Sequence, residues 1–103
     1  MSVYRDIYEK IVESAPAQAG TDGPLYRLIK LQEEVGEVGQ AVIGFVGANK
    51  RKGFSHDAED VAKELADVVV TAMVALHDWT DSPEQFMRDH LQGLVQRIRE
   101  EGS

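Results

Sequence analysis

Five carboxylates stand at spacings that could do chemistry together. Glu33, Glu34 and Glu37 lie within one stretch, and Glu64 and Asp67 lie within a second. On an α-helix, residues three apart share a face, so Glu34 and Glu37 stack, with Glu33 beside them, and Glu64 stacks on Asp67. Like charges at that spacing repel unless something offsets them. Lys30 is four residues before Glu34 and Lys63 four before Asp67, so each of those acids has a candidate partner. Glu37 and Glu64 have none at that spacing.

Oxygen-only donors suit hard divalent cations, Mg²⁺ first and Mn²⁺ as a substitute. Zinc is disfavoured, because the set holds no histidine and the chain holds no cysteine. A di-iron bundle needs Glu-x-x-His, and no glutamate here has a histidine three residues on. Cation-bound carboxylates would turn a repelling cleft into one that attracts phosphate oxygens. The alternative is a solvated acidic face, the usual meaning of a single Glu-x-x-Glu.

The elements that must position these acids read as helices. Val3, Ile7 and Ile11 recur every fourth residue over about Val3–Ser14. A second segment opens at Pro24 and keeps Leu28, Leu31, Val35, Val38, Val42 and Phe45 at spacings of 3, 4, 3, 4, 3, a coiled-coil-like seam. A third, about Asp57–Ala75, carries Val61, Leu65, Val68, Ala72 and Leu76. The fourth begins with Ser82-Pro83-Glu84-Gln85, a capping-box pattern, and carries Met87, Leu91, Leu94 and Ile98. No segment alternates with period two, so the expectation is an all-α, four-helix bundle forming one domain over residues 1–103. The seams of the second and third segments are expected to meet, with the acids at the rim of that interface. Two long helices in so short a chain cannot cover each other, which points to an oligomer.

Composition narrows the partners. Eighteen acidic and eleven basic residues give −7, and without the five acids the balance is 13 to 11, or −2. A chain with that excess repels bare nucleic acid. No apolar run approaches the length of a membrane span, and the first ten residues do not resemble a signal peptide, so a cytoplasmic location is expected.

The paired motifs, Glu-Glu-x-x-Glu and then Glu-x-x-Asp after 26 residues, with the flanking KLQEEVGEVGQAV and VAKELADVVVTAMVAL, resemble those of the MazG-like all-α nucleoside triphosphate pyrophosphohydrolases. The resemblance covers Leu25 to Leu76. It implies a four-helix module working as a homodimer or homotetramer. It also implies Mg²⁺ held by Glu34, Glu37, Glu64 and Asp67, and cleavage of nucleoside triphosphates to monophosphate and pyrophosphate. Glu33 would take part in orienting or deprotonating the attacking water, or in holding a further metal. Gly44 stands in the register where relatives carry a tryptophan for the base, and Thr71 where they carry another aromatic.

Around this core, Lys50, Arg51 and Lys52 in the connection between the acid-bearing segments, with Lys63, are candidate phosphate ligands, against an ordinary solvated loop. His56 is expected to cap the third helix or to stand in solvent, against a contact with phosphate. His77 and His90 read as structural, and Trp79 as packing. Two other classes stay open: a non-catalytic metal- or nucleotide-binding oligomer, and a purely structural bundle.

Overall fold

The computed structural model describes residues 2–14, 22–48, 51 and 53–102. Four helices follow one another: α1 (Val3–Ser14), α2 (Gly23–Val46), α3 (Ala58–Leu76) and α4 (Pro83–Gly102). No strand occurs among the described residues. The all-α, four-helix expectation holds at that level.

Local chemistry sets the boundaries. Proline stands in the first turn of α2, where its missing N–H costs nothing. The same helix stops at Gly47, whose φ of 67° is left-handed and whose N–H bonds back to Ile43 O. Asp57 caps α3: its side chain accepts from Asp60 N–H while the Asp60 carboxylate accepts from Asp57 N–H, both at 2.9 Å. Of the two readings of His56 this removes the cap and leaves the exposed one, with its Nδ1 2.9 Å from Ser55 Oγ.

The principal tertiary contact is α2 against α3, with α1 resting on α3. Here the structure departs from the sequence expectation. Ala41 and Gly44 are the buried residues of α2, and Val74 and Ala75 those of α3. At 100° per residue, Glu34, Glu37, Ala41 and Gly44 form one face of α2, and that face meets α3. The seam residues Leu28, Val35, Val42 and Phe45 are exposed instead, with Leu31 and Val38 only half-buried. Small residues let two backbones approach closely, so the small-residue face wins the intrachain contact and the branched seam is left outside. The acids are therefore on the contacting face of α2 rather than at its rim.

A polar knot ties the far end together. Arg27 of α2 donates two hydrogen bonds to Asp78, just past α3, from Nε to Oδ2 at 2.5 Å and from Nη2 to Oδ1 at 2.6 Å. Tyr8 of α1 donates to Asp78 Oδ1 at 2.8 Å, lies under the Arg27 guanidinium at 5.3 Å and stacks on His77 at 5.1 Å. His77 Nδ1 is 2.9 Å from Met73 O, which makes it a donor there. The structural reading of His77 is thus met in its stack on Tyr8 and its bond to Met73 O.

Helix α4 makes hardly any tertiary contact with the rest of the chain. No helix among the described residues is long and apolar enough to cross a membrane.

Candidate metal centre

Antiparallel pairing of α2 and α3 brings the two acidic motifs together. One carboxylate oxygen each from Glu34, Glu37 and Glu64 lie within 4.8 Å of one another. Ligand oxygens on an octahedral Mg²⁺ stand roughly 2.9 to 4.2 Å apart, so a small side-chain adjustment closes this trio on one ion. Glu34 and Glu64 are half-buried and Glu37 is exposed, leaving one side of the cluster open.

The electrostatics fit a site that wants positive charge. Burial raises the Glu34 carboxyl above its usual value, and Glu37 and Asp67 push it further. Glu64 is raised in the same way, by burial first and then by its contact with Glu37, with Asp67 and Glu34 adding. Glu64 Oε2 is buried and has no hydrogen-bond donor. An orphaned carboxylate oxygen beside two further carboxylates lacks the partner such an atom normally has.

The remaining sequence candidates are placed less uniformly. Asp67 is exposed and acts on Glu34 and Glu64 through its charge, outside the converging trio. Glu33 is exposed, and its Oε2 accepts from Lys30 Nζ at 3.0 Å. Lys30 thus bonds Glu33 rather than Glu34, although its charge still lowers Glu34. Lys63 pairs with Glu59 at 3.8 Å, not with Asp67 as the spacing suggested. Arg51 is exposed. Lys50 and Lys52 lie outside the described residues.

Sequence reasoning missed one packing feature beside the site. Ser55 N–H donates to Gly44 O at 3.1 Å, and a Cβ on Gly44 would overlap both His56 Nδ1 and Ser55 Oγ. The loop therefore closes on the α2 backbone two turns beyond Glu37. The signal was present: Gly44 follows Glu37 by seven residues, on the same helix face. Trp79 is exposed rather than packed.

Compared with models of known protein families, with curated proteins and with solved structures, the chain matches none. What it does must be argued from the site.

Proposed function

We propose that the chain is a divalent-metal-dependent nucleoside triphosphate pyrophosphohydrolase of the MazG-like, all-α kind, working as a homo-oligomer. The observation that carries this reading is the convergence of Glu34, Glu37 and Glu64, with Glu64 Oε2 buried and lacking a donor. The paired motifs seen in the sequence support it independently.

In this reading Glu34, Glu37 and Glu64 would hold Mg²⁺ or Mn²⁺, with Asp67 as the fourth ligand that the resemblance implies. An ion held there would neutralise charge on the phosphate oxygens and favour attack by water on the α-phosphorus. The protein's own groups do the rest. Glu33 would orient the attacking water or take its proton, which requires its ion pair with Lys30 to open. The bond between the α-phosphorus and its bridging oxygen breaks, leaving a nucleoside monophosphate and pyrophosphate. Lys50, Arg51 and Lys52 steady the departing pyrophosphate.

One observation favours a second reading, a non-catalytic metal or nucleotide sensor. The Lys30 ion pair occupies the acid assigned to the water. Incubating the purified chain with each (deoxy)nucleoside triphosphate and Mg²⁺ and measuring pyrophosphate decides between them. Release with at least one nucleotide supports the hydrolase. Mn²⁺ binding without release from any nucleotide supports the sensor, and absence of Mn²⁺ binding removes both.

A further inference from the structure

Phe54 is the most exposed large apolar side chain among the described residues, at 81%. One edge of its ring is nevertheless held. It lies against Gly47, the left-handed residue that ends α2, where an added Cβ would stand 2.7 Å from Phe54 Cε1. Ser55 and His56 come next, both exposed, 2.9 Å apart at Oγ and Nδ1, and seated on Gly44. The hydrogen bond from Ser55 N–H to Gly44 O fixes the backbone beneath them. An aromatic ring, a hydroxyl and an imidazole are therefore fastened to the end of α2 with their free sides in solvent.

Helical phase relates this group to the carboxylates. Glu33, Glu37, Gln40, Gly44 and Gly47 follow one another at spacings of 4, 3, 4 and 3, a single stripe along one flank of α2. Glu37 is the exposed member of the converging trio and marks its open side. Phe54, Ser55 and His56 cover the two glycines at the other end of that stripe. From Glu37 the helix axis runs about 10 Å to Gly44 and about 15 Å to Gly47. An interval of that size suits a sugar and a base extending from a phosphate held at the trio.

We infer that Phe54, Ser55 and His56 receive the nucleoside end of the substrate, with the base stacked on Phe54 and its edge turned to His56. The inference rests on the reading of the trio as the metal centre of a nucleotide hydrolase. Three observations select a nucleoside over a phosphate group at this point. The exposed phenyl ring offers a π face, which a base covers and a phosphate cannot use. His56 Nδ1 is engaged with Ser55 Oγ, so Nε2 is the ring nitrogen left to meet a base edge. Asp57 and Asp60, which cap α3 next to His56, bring two carboxylates that repel a phosphate and spare an uncharged base. Stacking accepts any base, so discrimination between bases falls to His56.

Calorimetry in the presence of Mn²⁺ tests this with two probes. One is a set of α,β-imido nucleoside triphosphates, which resist cleavage, and the other is inorganic triphosphate, which has no nucleoside. The parent should bind the analogues more tightly than inorganic triphosphate. Phe54→Leu keeps an apolar side chain on Gly47 but removes the π face. It should weaken every analogue about tenfold and leave inorganic triphosphate unchanged, which also shows that the variant is folded. Phe54→Tyr should bind as the parent does, and His56→Ala should narrow the differences between bases. Equal affinity of the parent for both probes overturns the inference. So does a Phe54→Leu variant that loses inorganic triphosphate as strongly as the analogues, or loses neither. Base differences that survive His56→Ala remove His56 from the assignment. Binding is read without turnover, so the two readings fail separately. A chain that holds the analogues through Phe54 but releases no pyrophosphate sinks the hydrolase alone. One that releases pyrophosphate with Phe54→Leu binding unchanged sinks this inference alone.

Discussion

Arg27 and Asp78, 51 positions apart, meet in a two-pronged ion pair at 2.5 and 2.6 Å with the Asp78 side chain only 3% exposed. Burial alone would raise the Asp78 carboxyl, but the hydrogen bonds from Arg27 and Tyr8 outweigh it and hold the group below its ordinary value. Because Asp78 also accepts from Tyr8, one carboxylate joins α1, α2 and the end of α3. Replacing it by alanine strands the guanidinium, which is itself 14% exposed. Asp78→Ala should cost about 3 kcal/mol. The check is the urea midpoint, and an unchanged midpoint would show that the knot contributes nothing.

Glu37→Gln removes one charge from the trio and keeps the side-chain shape. Mn²⁺ affinity should fall at least about tenfold and pyrophosphate release about 100-fold or more. Without metal the variant should be no less stable than the parent, because a repelling carboxylate is gone from beside Glu34 and Glu64. Titration calorimetry with Mn²⁺ reads the first effect. Parental affinity there would remove Glu37 from the site.

The raised carboxyls make a signed prediction about acidity. Between the ordinary value of 4.5 and their raised values, Glu34 and Glu64 bind more protons in the folded chain than in the unfolded one. Stability of the metal-free protein therefore falls as pH rises through that window. Asp78 and Asp60, both lowered, act oppositely, and their contribution is lost only as pH falls below 3.8. In chelator, unfolding should need more urea at about pH 5 than at about pH 7, and saturating Mn²⁺ should reverse that order. A metal-free midpoint that rises with pH across this interval contradicts the assignment.

Two glycines separate crowding from helix propensity. Gly93 of α4 has open space at its Cβ position, so Gly93→Ala should stabilise the chain by about 0.5–1 kcal/mol. Gly44→Ala gains the same propensity but drives a methyl into His56 and Ser55, at about 1–3 kcal/mol. A net loss of about 1 kcal/mol is expected there. Equal midpoints for the two variants would mean that the loop does not rest on Gly44.

The four helices were legible because their stops and starts are local: proline at the head of α2 and the run of periodic apolar residues in each. Glu34, Glu37 and Glu64 were legible for the same reason, since helical phase alone puts each pair on one face. What the sequence hid was partner choice. Periodicity showed that Val35 and Val42 lie on one stripe but not what that stripe touches, and the smaller Ala41 and Gly44 took the contact with α3. Lys30 had two acids within one turn and Lys63 three, and spacing could not choose between them. The Arg27–Asp78 pair spans 51 residues, a distance at which no local pattern speaks.

The reciprocal cap of Asp57 and Asp60 has a consequence for how such a chain can vary. It begins α3 by an interaction that involves no residue before Asp57, just as Gly47 ends α2 by one that involves none after Ala48. The acids on either side are thus counted from their own fixed points, Glu37 back from one and Glu64 forward from the other. Lengthening or recomposing the intervening stretch would leave both caps, and the helix positions counted from them, in place.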